Sequence, residues 1–387
     1  MDSSRNAFAP ALPDNIGSEH SLAMSDESDP KAWRIMSLKV LKNLVAEARG
    51  EATKKVIEYI KNHLGKTKLI FVVGQSGSGK TLLLKELTGT LFHHLCPAII
   101  HDEQYIFVDT AGFGAADLDN NSNFSDIVGC LNGLGPFVDV AGLLFVYGGD
   151  QARMTNDDLR TLQWVQCFCG PKFYRNVVFV TTKWDVPRPK PFEAAWTRIE
   201  ELLRAPEVTA LCNPPTRHVG AAIYHHGLPG GVGDIEGHKY VLDKDADSEK
   251  RSTELKSLIL RNFKHAPIFR LQVAQEMGPK GDWTKTEAAK VLASDPQSIT
   301  VEIHADRAVV CPKAATTSTT PPIAPQAGNP NSHDVQKTWY QRLMDWIEAA
   351  QAAAAFFKQA REAPETPSSW SSAWEHVQGW WSGTPRT

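Results

Sequence analysis

The chain has no CxxC pair. Its six cysteines, Cys96, Cys130, Cys167, Cys169, Cys212 and Cys311, lie apart, most of them in apolar stretches. That spacing argues against a disulfide framework and predicts reduced thiols packed in a core. The opening MDSSRNAFAPALPDN has no apolar core of signal-peptide length. The longest apolar run, VAGLLFVY, falls well short of the ~20 residues that a membrane span needs. Net charge is only −3, so no global field draws the chain toward nucleic acid. These absences predict an intracellular, cytoplasmic protein without a membrane span and without a nucleic-acid partner. With 42% hydrophobic and 22% charged residues, the 387 positions suffice for one large core with appendages, or for two modest domains.

Charge and period divide the chain. Residues 1–30 carry Arg5 against Asp2, Asp14, Glu19, Asp26, Glu27 and Asp29 and have few large apolar groups, which predicts a disordered acidic tail. Over 31–65 lysines dominate. Leu41, Leu44, Val45, Ala48, Val56, Ile60 and Leu64 recur there at spacings of three and four, the pattern of a basic amphipathic helix. Such a helix docks on the neighbouring domain or faces a lipid surface or partner. Residues 66–270 alternate short strand-like runs (KLIFVV, YIFVDT, GLLFVY, NVVFVTT) with helical stretches beginning near Lys80, Ser122, Asn156 and Pro191. Nearly apolar strands alternating with helices predict a mainly parallel α/β sheet covered on both faces, with ligands at the carboxyl ends of the strands. PAII is expected to turn at HDEQ and pair antiparallel with YIFVDT. SEKRSTELKSLILRNF reads as a helix, and the small extension over 271–313 contains the hairpin-like SITVEIHADRAVVCP. Residues 314–334 form a Thr/Pro/Ala linker. A helical, tryptophan-rich tail follows at 335–387, with Trp370, Trp374, Val377 and Trp381 on one face and Trp380 beside them. That face could touch a membrane or a partner, or fold back on the protein itself.

Three short motifs carry chemistry. GQSGSGKT fits G-x-x-x-x-G-K-[ST], follows a strand and opens a helix. The loop residues Gly74, Gln75, Ser76, Gly77, Ser78, Gly79, Lys80 and Thr81 would turn their N–H groups toward a polyanion at the helix N-terminus. Lys80 would bridge the β- and γ-phosphates as a catalytic charge, and the Thr81 hydroxyl would ligate Mg²⁺. DTAG ends the next long strand: Asp109 would hold Mg²⁺ through water, and Gly112 would bring its N–H to the γ-phosphate as the second catalytic group. TTKWD ends a later strand. Thr182, Lys183 and Asp185 match an N/T-K-x-D base reader, with Asp185 accepting from guanine N1–H and its exocyclic amine. Adenine offers no N1 donor, and a charged hydrogen bond is worth about 1.5–3 kcal/mol, enough for a strong base preference. The Lys183 methylenes can cover the purine face.

These motifs, in this order on strand ends, resemble the G domain of TRAFAC-class P-loop GTPases. DTAGFG, DIVGCLNGL and the stretch RMTNDDLRTL…CG…NVVFVTTKWD make roughly Lys68–Leu228 similar to fungal G-domain-containing proteins related to the septins and GIMAP-like GTPases. The resemblance implies a P-loop GTP-binding fold, GTP/GDP and Mg²⁺ as ligands, and association through the G domain or the terminal helices. It also implies a last guanine-region element, for which RHVGAA at Gly220–Ala221 is the candidate.

Two expected groups are missing. No serine or threonine occurs between Thr90 and Thr110, where a switch threonine normally completes the magnesium shell, and Thr88 and Thr90 fall on the preceding helix. The residue after the sensor glycine is Phe113, where Ras-like enzymes carry a water-orienting glutamine. His93, His94 and His101 lie in the shortened segment and could supply a polar group to phosphate. The pairs His93–His94 and His225–His226 lack zinc spacing. The reading is a guanine-nucleotide-binding protein whose hydrolysis is slow or partner-dependent. The alternatives are a pseudo-GTPase scaffold acting through its terminal helices and, disfavoured by TTKWD, an ATP-dependent enzyme.

Overall fold

Short runs of β-branched and aromatic residues build the centre of the molecule, because such side chains fit a pleated surface buried on both faces. The computed structural model describes residues 58–89, 95–113, 119–150, 153–185, 192–232, 241–277, 282–313 and 339–362. The acidic tail, the linker, Trp370, Trp374, Val377, Trp380 and Trp381 of the tail, Thr90, His93, His94 and most of the basic helix lie outside the described residues. Of that helix, residues 58–64 are helical and bury Ile60 and Leu64.

Six strands form one sheet: β1 (Lys68–Val73), β2 (Leu95–Ile100), β3 (Glu103–Asp109), β4 (Asp139–Gly148), β5 (Val177–Thr182) and β6 (Ala222–His225). Their order is β2-β3-β1-β4-β5-β6, with only β2 antiparallel to its neighbour. The antiparallel pairing of PAII with YIFVDT is as expected. A two-residue turn closes it, with His101 at φ 45° and Asp102 at φ 65°, the left-handed pair that suits the twist of a tight hairpin.

The helices are α1 (Lys80–Thr88), α2 (Asn120–Leu134), α3 (Asn156–Cys169), α4 (Phe192–Leu203), α5 (Pro206–Cys212), α6 (Ser248–Phe263), α7 (Gln272–Glu276), α8 (Glu287–Ala293) and α9 (Trp339–Glu362). Successive strand residues point to opposite faces, so neighbouring positions sort the helices. The Phe71 ring meets Phe168 of α3. In the next strand Gly142, register partner of Ile70, faces Phe263 of α6 so closely that a Cβ would strike the ring. Thus α3 lies on one face of the sheet and α6 on the other. Leu69 pairs with Val140 and Ile70 with Gly142, leaving Ala141 as a bulge that adjusts the strand just before this contact.

α3 begins with a capping box: Asp158 N–H donates to Thr155 Oγ1, and Thr155 N–H donates to Asp158 Oδ2. Its body is buried nearly all round, so it has to be covered on two sides. The sheet covers one side. The other is covered by α7, α8 and the hairpin β7 (Ile299–Ile303) with β8 (Ala308–Pro312). Cys167 and Cys169 close α3, and both are buried, as core thiols should be. α9 packs along α2. Among the described residues no helix is long and apolar enough to cross a membrane. The architecture is a mainly parallel α/β sheet with helices on both faces and helical extensions.

Candidate functional site

The carboxyl ends of β1, β3 and β5 converge on one loop. Residues 74–79 leave β1 and open α1, whose cap Gly79 has no side-chain hydrogen bond. The amide donors of that first turn therefore have no side-chain acceptor at the cap. Lys80 is 7% exposed, and its Nζ donates to Gly74 O and Gln75 O, each at 3.0 Å. Burial pulls its ammonium below the usual lysine range, and the negative charge of Asp109 opposes that pull. A cation in so poorly solvated a place is set to gain from a polyanion.

The Thr81 hydroxyl donates to Asp109 Oδ2 at 2.6 Å. Asp109 Oδ1 is buried and has no hydrogen-bond partner among the described residues. A carboxylate oxygen left this way beside a threonine hydroxyl is a donor set of hard oxygens, which fits Mg²⁺. Beyond Asp109, Thr110 is tied to β1 through its N–H and hydroxyl, both donating to Val72 O. Asn123, in the first turn of α2, donates from Nδ2 to Ala111 O at 2.7 Å. Gly112 is thereby seated on the phosphate loop. A Cβ there would collide with Ser76 N and Cα, so only glycine allows the approach.

From β5 the Thr182 hydroxyl donates to Ser78 O at 2.5 Å. The sequence reading placed Thr182 with the base reader. The structure also makes it a tie between that strand and the phosphate loop. Lys183 adopts φ 60°, rare for a residue with a Cβ, and its Nζ pairs with Asp150 at 3.0 Å. Trp184 is buried and donates from Nε1 to Thr181 Oγ1, packing near Trp196 and His225. This anchor sets Asp185 at the wall of a cleft of about 460 Å³ lined by Gly79, Leu82, Thr182, Lys183, His226 and Arg251, among others.

Several sequence expectations are revised. Gly220–Ala221 precede β6, so they stand at the amino end of that strand, opposite the site; the residue following it that lines the cleft is His226. His101 sits in the β2–β3 turn, at the other end of β3 from Asp109, where it cannot serve phosphate. Thr88, as expected, lies on the helix, where its hydroxyl bonds back to Leu84 O. Phe113 is fully buried, 4.8 Å from the Trp164 ring centre, so this side chain is a core anchor. Sequence reasoning missed Glu86, His226 and Arg251, which meet beneath the cleft. Only the helices of Glu86 and Arg251 were legible, since the contacts to Glu86 span more than a hundred residues of chain.

No family model and no curated protein matches the chain. Among solved structures, Toc33 from Arabidopsis thaliana in complex with Mg²⁺ and GMPPNP is 16% identical at TM-score 0.36, over 56% of this chain and 96% of that one. Its complex with GDP and Mg²⁺ gives 16% and 0.38, over 57% and 96%. The apo form of translation elongation factor SelB from Methanococcus maripaludis gives 14% and 0.32, over 53% of this chain and 35% of that one. Likenesses this loose do not assign a function by themselves.

Proposed function

We propose that this chain binds guanine nucleotide, GTP and GDP, with Mg²⁺, at the carboxyl edge of its sheet. The convergence of three strand ends on one loop carries the reading: Gly112 rests on Ser76, Thr182 bonds Ser78, and Thr81 bonds Asp109. Lys80 and the loop amides would neutralise the polyphosphate, its ammonium turning from Gly74 O and Gln75 O to phosphate oxygens. Thr81 and Asp109 would hold Mg²⁺, which supplies charge neutralisation to the β- and γ-phosphates. Asp185 would select guanine through two hydrogen bonds. The sequence motifs DTAGFG and TTKWD support a kinship with the septin and GIMAP-like GTPases, which would bring association through this domain or the terminal helices.

Hydrolysis, GTP + H₂O → GDP + phosphate, depends mostly on positioning and charge. Phe113 is locked in the core, and no threonine lies between Thr90 and Thr110 to complete the metal shell. Turnover is therefore slow, or waits for a partner to contribute a group. The scaffold alternative, a pseudo-GTPase, draws on the same two observations; it binds nucleotide statically or not at all and acts through its terminal helices.

Equilibrium titration with labelled GDP, GTP and ADP tests the binding reading. Lys80→Ala should weaken GTP by about a hundredfold, the scale expected when a charge-assisted phosphate contact is lost in a dry site. Wild-type protein that retains neither guanine nucleotide would refute the reading. Single-turnover phosphate release then separates slow enzyme from scaffold.

A further inference from the structure

Beneath the base cleft lies a buried charge cluster that no sequence motif marks. Arg251, in the first turns of α6, is 3% exposed. Its Nε donates to Glu86 Oε2 at 3.0 Å and its Nη2 to Glu86 Oε1 at 3.1 Å, a two-pronged fork onto the helix that opens from the phosphate loop. His226, just past β6, meets Glu86 Oε2 from Nε2 at 2.7 Å. Burial pushes the Glu86 carboxyl up, but hydrogen bonds and charge from His226 and Arg251 bring it below the usual range. Glu86 is thus an anion in its ordinary state, fully used by these donors.

The remaining prong of the guanidinium points elsewhere. Nη1 donates to Leu242 O at 2.8 Å and lies 3.9 Å from Asp185 Oδ2. A Cβ on Gly227, which has φ +103°, would come within 2.8 Å of the same nitrogen. Glycine there leaves room for the guanidinium to pass beneath the chain and reach the acid. A buried arginine cannot shed its proton, so it needs anionic partners. Here one anion is permanent and internal, Glu86, while the other, Asp185, stands at the rim facing the cleft.

We propose that Arg251 is the positioning residue of the base reader, aiming the Asp185 carboxylate with its charge from 3.9 Å while Glu86 fixes Arg251 to the phosphate-loop helix. The proposal rests on the guanine-nucleotide reading and deepens it. Base choice and phosphate grip then share one rigid link, from α1 through Glu86 and Arg251 to Asp185. Guanine engages that link because it offers N1–H and an amine to Asp185. Adenine, which has no N1 donor, does not.

The test compares dissociation constants for GDP and ADP, each with Mg²⁺, in wild type, Arg251→Met, Arg251→Lys and Glu86→Gln. Arg251→Met should weaken GDP about tenfold or more while ADP changes less than about twofold, so the GDP-to-ADP preference collapses. Arg251→Lys keeps the charge without the fork and should restore part of that preference. Glu86→Gln, which keeps the shape of the side chain, should shift the preference in the same direction as Arg251→Met. A merely structural Arg251 would weaken both nucleotides alike, or lower the melting temperature with the preference intact, and either result overturns the proposal. Wild-type protein that binds GDP with preference while all three variants keep it sinks this inference alone. Wild-type protein that binds no guanine nucleotide sinks the functional reading beneath it as well.

Discussion

His225 shows how one side chain couples the cleft wall to pH. Trp184 Nε1 donates to Thr181 Oγ1, and that hydroxyl lies 2.8 Å from His225 Nδ1. A hydroxyl that accepts from the indole can donate its own proton to the ring, which leaves Nδ1 as acceptor and the imidazole neutral. Burial takes the His225 pKa from 6.5 down to about 4. The unfolded chain therefore binds a proton below its ordinary value while the folded chain still refuses it. Stability is full above about pH 6.5 and falls by on the order of 3 kcal/mol as the pH drops toward 4. His225→Phe should flatten that part of the profile, measured by urea unfolding at neutral pH and near pH 4. An unchanged slope would show that His225 is not the titrating group.

The outermost helix is held at the scale of elements. Gly129 and Gly133 of α2 let α9 come close. A Cβ on Gly133 would lie 2.9 Å from Trp346 Cβ, and one on Gly129 would lie 3.2 Å from the indole. Trp346 is 6% exposed and reaches Asp126 from Nε1, while Arg342 donates to Ser122 O. Gly133→Val forces the helices apart, and Trp346→Ala empties the seam at a cost of about 3–5 kcal/mol. Either should lower the melting temperature and open α9 to protease, read by limited digestion and mass spectrometry. The alanine-rich run of α9 showed in sequence that a helix forms. Its docking face on α2 was not legible, because the two glycines that permit it read locally only as weak helix formers.

At the scale of the molecule, the expected boundary at 270/271 cuts through a continuous core. Leu271, Val273, Ala289, Val291 and Ile299 belong to the same buried cluster as the sheet. Gln163 of α3 donates to Pro296 O, and Gln272 exchanges two hydrogen bonds with Ala308. Removing residues 271–313 would strip α3 of its cover on that side and expose Gln163 and the apolar surface around it to water. A chain cut after residue 270 should be insoluble or melt far below the full chain, as followed by circular dichroism. A truncated chain with a wild-type melt would show that residues 66–270 are self-sufficient.

The sequence alone determined the sheet, its strand ends and the residues of the phosphate loop, Asp109 and Asp185. Those features are written in local period, glycine placement and hydrogen-bonding type, which neighbours along the chain dictate. Tertiary structure alone decided that Thr182 ties β5 to the loop at 74–79, that His226 rather than Gly220 and Ala221 borders the site, and that Arg251 meets Glu86 and stands beside Asp185. Each of those depends on where distant segments cross. A side chain's type does not encode that crossing; the packing of the whole core sets it.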